Sequence, residues 1–238
     1  MTQIQSFAAD SGTATEFDDA FRTRLRELLV WRRDVRCFRR DPLPAGTLEQ
    51  LTRKVDQLLP AGTLEQLIHL ACLAPSVGLS QPWRFVIVED PVRRAAIRTN
   101  FERCNAEALA AQSPQRAAAY ARLKLAGLDD APCQLAVFAD RATAQGHGLG
   151  RHTMPEMIEY SAVTAVHTIW LAARSHGIGV GWVSILEPTA VAAILEVPAD
   201  WKFIAYLCLG FPQAEDDLPD LARKDWEQRQ PSAVVLRR

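Results

Sequence analysis

The run from Pro155 to Ile185 restricts the fold more than any other part of the chain. Val163, Val166, Ile169, Trp170 and Leu171 recur at helical spacing, which predicts a long buried helix from Pro155 to His176. Gly177 follows as its cap, because glycine enters the left-handed region without steric cost. The chain then reads Gly177-Ile-Gly-Val-Gly-Trp-Val-Ser184, predicting a strand over Ile178 to Ile185. Alternating glycines in a strand admit the close approach of another group, and tight packing of strand on helix uses the same property. The spacing is not G-x-G-x-x-G and opens no helix, so it is no dinucleotide fingerprint.

Around this pair, further elements alternate. Phe21, Leu25, Leu28 and Leu29 predict an amphipathic helix from Phe17 to about Arg33. Strands are expected over Arg84–Glu89, Cys133–Ala139 and Trp201–Leu209. Helices are expected from Pro91 to about Ala111, over Gln115–Leu125 and over Pro188–Leu195. Helices and strands without a clean βαβ series define an α+β domain over residues 17–238, preceded by a loose polar arm, 1–16. The apolar tail Ala233–Leu236 reads as a strand for pairing with another subunit. One internal repeat stands out: Leu43–Leu51 recurs identically at Leu59–Leu67. Each copy carries a capping box, Thr47 with Gln50 and Thr63 with Gln66. Two copies make no solenoid, and the segment 43–67 reads as a tandem duplication that lengthens a surface connection, or adds a dimer-contact helix.

A hydrophobic content of 48% with six Trp and nine Phe supplies a sizeable core, and a net charge of −1 argues against a general nucleic-acid binder. Five scattered cysteines without C-x-x-C fit reduced cytoplasmic thiols, not a disulfide framework or a zinc site. His147 and His152 lack a third ligand at metal spacing, so no metal site is expected. Neither a signal peptide nor a membrane span is expected.

The charges, although balanced, are uneven: eight arginines lie between Arg22 and Arg40. Within them, Arg32-Arg33-Asp34-Val35-Arg36 sets three guanidinium groups at helical neighbour spacing. Guanidinium does not titrate away and grips phosphate through paired N–H groups. The bland reading is an arginine-rich, solvated helix end, and Asp34 fits neither reading well. Pro75-Ser76-Val77-Gly78-Leu79-Ser80-Gln81 is a turn-rich loop offering hydroxyls, an amide and free N–H groups ahead of a strand. Gly148-Leu-Gly150 carries no weight by itself, and G-x-S-x-G is absent.

Together these stretches resemble the FMN-dependent nitroreductase fold family. The resemblance rests on Arg32–Arg36, on Ala74-Pro-Ser with Gln81-Pro-Trp83, and on the glycine strand. Tyr120–Gly127, Leu207–Phe211 and Trp226-Glu-Gln-Arg229 extend it over about residues 17 to 232. Within the family, the Asp inside the arginine cluster and Gly-Trp-Val-Ser184 are similar to the branch that fragments reduced FMN with oxygen to 5,6-dimethylbenzimidazole, the lower ligand of cobalamin. What the resemblance implies is a central, mostly antiparallel sheet flanked by helices, in an intertwined homodimer with flavin at the interface. It implies that Arg32, Arg33 and Arg36 hold the phosphate and the pyrimidine edge, that Arg229 joins the phosphate, and that Asp34 and Val35 also bind the cofactor. Ser76, Gly78 and Gln81 would line the ribityl chain and ring, Gly181 to Ser184 would run along the isoalloxazine, and Leu125 would close over it from a lid. Asp34 and Ser184 would be the catalytic pair, and a separate reductase would supply reduced FMN. Two departures stand beside this: the duplication falls between the two halves of the site, and Leu79 occupies a position where many nitroreductases carry Asn. A conventional NAD(P)H-dependent nitro or quinone reductase, and a flavin-binding protein without turnover, are the competing expectations.

Overall fold

A computed structural model of the chain describes residues 17–43, 62–230 and 232–238. The expected arm over 1–16 and most of the duplicated segment, 44–61, lie outside the described residues.

Four strands form one sheet: β1 (Trp83–Ile87), β2 (Cys133–Asp140), β3 (Gly179–Val183) and β4 (Trp201–Gly210), in the order β1-β2-β4-β3. Every neighbouring pair is antiparallel, with Phe85 opposite Val137, Leu135 opposite Leu207 and Gly181 opposite Cys208. β2 is central and both its faces are buried. Leu135, Val137 and Ala139 point to one layer, while Ala136 and Phe138 point to the other, as the two-residue period of a strand requires.

The first layer holds α2 (Thr63–Ala71) and α5 (Met157–Ser175), and the second holds α3 (Pro91–Ala110) and α6 (Pro188–Leu195). In α5 the buried residues Ile158, Ser161, Ala162, Ala165, Val166, Ile169 and Ala173 repeat every three or four positions, one stripe facing the sheet. Gly177 ends it with φ +71, as its place behind the helix predicts. α6 starts through Glu187, whose carboxylate accepts from the Thr189 and Ala190 N–H groups.

Three further α-helices lie among the described residues: α1 (Asp19–Trp31), α4 (Pro114–Tyr120) and α7 (Asp220–Arg223). Several boundaries differ from expectation. α2 starts with Gly62, not Thr63, in the capping position. The helix expected over Gln115–Leu125 stops at Tyr120, because the residues beyond it are drawn into contacts with the arginine segment. The tail over 232–238 forms no strand, and Val234, Val235 and Leu236 are exposed.

Candidate active site

The arginine cluster leaves α1 at Arg32 and runs extended beside β3. The Val35 N–H donates to Val180 O (3.0 Å), so residues 34–35 form a parallel bridge on the free edge of that strand. The glycines make this approach possible. A Cβ on Gly181 would stand 2.1 Å from Val35 O, and one on Gly179 would stand 2.7 Å from a Val35 methyl. The close approach is thus made by Val35 of the extended arginine segment, through its backbone at Gly181 and its side chain at Gly179, and not by a helix.

Asp34 ties this junction. Its Oδ1 accepts from the Trp182 N–H (2.9 Å) and its Oδ2 accepts from Arg36 Nε (2.7 Å). Arg36 also reaches Lys124 O (3.4 Å), next to Leu125. From α5, Trp170 Nε1 donates to Arg33 O (3.0 Å), and the Arg32 guanidinium lies 4.9 Å from the centre of the Trp170 ring. Arg33 donates to the carbonyls of Arg32 and Asp217.

Burial, then the nearby Arg229 guanidinium, pulls the pKa of Arg32 below the ordinary arginine range, with Asp34 opposing. Burial, Arg229 and Arg32 lower Arg33 in the same way, against Asp217 and Asp216. Arg32, Arg33 and Arg229 therefore converge and repel one another, and Arg33 Nε is buried without a hydrogen-bond partner. Cations gathered at this cost, with a donor left over, fit a multiply charged anion such as a phosphate monoester.

The Ser76 loop is shaped by other contacts. Val77–Leu79 form a single 3₁₀ turn, and Gly78, Leu79 and Gln81 all have positive φ. Ser76 Oγ accepts from the Gln81 N–H (3.1 Å), and Gln81 Oε1 accepts from Gln145 (3.0 Å). The loop rests on α5, with Val77 N–H donating to Ser161 Oγ (3.0 Å) and Thr164 donating to Pro75 O (2.8 Å). Gly146 and Gly150 press against it: a Cβ on Gly146 would meet Gly78 O at 2.6 Å. The Gly148-Leu-Gly150 pair carries no weight in the sequence, and the backbone-on-backbone contact falls on Gly146, with Gly150 against the Val77 side chain.

One chain thus brings together Arg32, Arg33, Asp34, Val35, Arg36, Gly181, Trp182 and Arg229, with Leu125 beside them. It does not bring Ser76, Gly78 and Gln81 to them. Ser161 and Trp170 are nine residues apart, which places the two contacts on opposite faces of α5 and roughly 14 Å apart along its axis. A cavity of about 280 Å³ along the arginine segment is lined by Arg33, Asp34, Arg36, Trp170 and Gly179, and by no residue of the Ser76 loop. Ser184 lies exposed just past the end of β3. Trp170 is a site neighbour the sequence did not announce, since it meets Arg33 across a long stretch of chain.

An antiparallel sheet between helical layers, with a cationic segment strapped to its edge strand, is the architecture of a known class. The chain belongs to the Nitroreductase family, whose signature matches residues 29–211. The solved structure of oxidized iodotyrosine deiodinase bound to FMN and 3-iodo-L-tyrosine shares the fold, with a TM-score of 0.63 at 22% identity over 90% of this chain and 97% of that one.

Within the family, similarity is much higher to a particular protein. A Rhodospirillum rubrum protein named 5,6-dimethylbenzimidazole synthase is 54% identical over 227 residues, 94% of this chain and 99% of that one. A Rhodobacter capsulatus protein of the same name is 44% identical over 216 residues, 91% of this chain and 97% of that one.

Proposed function

We propose that this protein fragments reduced FMN with molecular oxygen to 5,6-dimethylbenzimidazole. The single observation that carries the proposal is the 54% identity, spanning nearly the whole of both chains, to a protein named for that synthesis. The chemistry of the arginine segment supports it independently.

In this reading Arg32, Arg33 and Arg229 hold the FMN phosphate, and the orphaned Arg33 Nε–H finds its acceptor there. Reduced FMN supplies both the carbon skeleton of the product and the electrons for the reaction with oxygen. Trp182 and Leu125 exclude water from the reacting ring. Asp34 is the proton acceptor: each of its oxygens receives one N–H bond, and a carboxylate oxygen has a second lone pair. Ser184 would offer its hydroxyl to the flavin, and Gly181 would line the site.

The two separated halves are explained by a homodimer, with Ser76, Gly78 and Gln81 of one copy facing the arginine segment of the other across the flavin. A separate flavin reductase supplies the substrate. Free thiols at all five cysteines support a reducing, cytoplasmic setting, and among the described residues no helix is long and apolar enough to cross a membrane.

The test is to load the purified protein anaerobically with reduced FMN, admit air and separate the products by chromatography. 5,6-Dimethylbenzimidazole is expected. Its absence from a folded protein would sink the proposal, and rapid NADPH oxidation with FMN retained would replace it with the reductase reading.

A further inference from the structure

The tail carries one aromatic side chain whose seat the proposed chemistry does not explain. After α7 the chain reverses at Asp225, which has φ +52, and the Trp226 N–H donates to Leu221 O (2.9 Å). The turn sets the Trp226 ring against α4. The Arg116 guanidinium lies 4.2 Å from the ring centre, and Tyr120 meets the ring edge-on with centroids 6.0 Å apart. Tyr120 is itself fixed: it is buried, and its hydroxyl donates to Asn105 Oδ1 on α3 (2.8 Å). Trp226 therefore docks on a rigid partner.

Three residues further on stands Arg229, exposed, yet close enough to Arg32 and Arg33 to lower both. Two like charges push it away from that position. Between Trp226 and Arg229 the described tail makes only local hydrogen bonds: Glu227 N–H to Leu221 O, Gln228 N–H to Glu227 Oε1 and Gln228 Nε2 to Ala222 O. The Trp226 seat is the anchor that opposes the repulsion. The same helix leads into residues 121–127, where Lys124 O accepts from Arg36. Arg116 and Tyr120 of α4 thus touch the tail, while Lys124, four residues past the end of the helix, touches Arg36.

We propose that Trp226, through its seat on α4, is a positioning residue that holds Arg229 beside Arg32 and Arg33. The proposal rests on the reading of Arg32, Arg33 and Arg229 as the phosphate site.

The experiment compares FMN with riboflavin, which has the same ring and ribityl chain but no phosphate, by fluorescence titration of the full chain. Arg229→Ala is expected to weaken FMN by about tenfold or more, as befits one charge-assisted contact, and to leave riboflavin unchanged. Trp226→Ala is expected to weaken FMN by a similar factor and riboflavin by less than about twofold. The double variant should bind FMN no more weakly than Arg229→Ala alone. Trp226→Phe should recover most of the loss, and Arg116→Ala should reproduce it in smaller measure. If Trp226→Ala does not fold, the Phe and Arg116 variants carry the test. Equal weakening of both flavins, or full additivity in the double variant, overturns the proposal. A silent Trp226→Ala beside an FMN-selective Arg229→Ala rejects the anchor alone, whereas a silent Arg229→Ala rejects the phosphate site beneath it.

Discussion

Asp34 decides more than any other single residue. In the sequence it was the carboxylate that suited neither an anion site nor a solvated helix end. In the structure its two oxygens join the edge of β3 to Arg36. Its oddity was legible from the five residues alone, but its partner Trp182, 148 positions away, was not. No local periodicity carries a contact of that length. Asn at this position would keep an acceptor for the Trp182 N–H but turn an amide N–H₂ toward Arg36 Nε, setting donor against donor. Asp34→Asn is therefore expected to lower stability by about 1–2 kcal/mol, the cost of a partly buried charge-assisted bond, seen as a thermal midpoint lower by several degrees. Flavin binding should stay within about threefold, since Arg32, Arg33 and Arg229 remain. Product per bound flavin should fall at least about a hundredfold if the carboxylate is the proton acceptor. Undiminished product from flavin-loaded Asp34→Asn would leave Asp34 a strut without a catalytic role.

Among the elements, the junction of β3 with the arginine segment is where sequence and structure agree most closely on position and differ most on reason. The alternating glycines predicted a close approach, and the approaching group is Val35. The core elements were readable because their periodicity is strong. β2 and α5 were placed within about two residues at each end, the usual scatter of such boundaries. α4 was overextended because Leu123, Lys124 and Leu125 have helical propensity, while the Arg36–Lys124 and Lys124–Asp130 contacts hold that stretch in another conformation. Gly181→Ala tests the junction directly. Its Cβ would lie 2.1 Å from a backbone oxygen, so β3 and the arginine segment must separate. The expected result is a loss of about 1–3 kcal/mol or more, with weakened FMN binding, because Arg33 and Arg36 move with Val35. Gly177→Ala is the control. A Cβ there meets nothing within 4 Å, so the cost is confined to the left-handed cap, about 1 kcal/mol, and FMN binding should be unchanged. Equal FMN affinities in the two variants, measured by the same titration, would detach the glycine strand from the site.

At the scale of the whole molecule, the described surface exposes more apolar side chain than a lone domain needs. None of the 13 residues of α1 is buried, and Phe21, Leu25, Leu29, Val30 and Trp31 are exposed along with Phe17 before it. A helix of that length is marginal in water unless its apolar face is covered. Tyr160 and Val163 on α5, and Val234, Val235 and Leu236 in the tail, add to the uncovered surface. The α1 spacing was legible in the sequence as an amphipathic helix, but amphipathicity does not say whether the cover comes from the same chain. Among the described residues nothing buries its apolar face, and the separation of the Ser76 loop from the arginine segment across α5 points the same way. The proposed second copy would answer both, by covering α1 and by completing the site. Sedimentation equilibrium at micromolar concentration should therefore find a dimer. Leu25→Glu with Leu29→Glu, each giving up about 1.5–3 kcal/mol of apolar burial, should yield a folded monomer that forms no product, since each arginine segment then lacks its facing Ser76 loop. A monomeric parent that still makes product would refute the two-copy site, and a charged double variant that stays dimeric would move the interface away from α1.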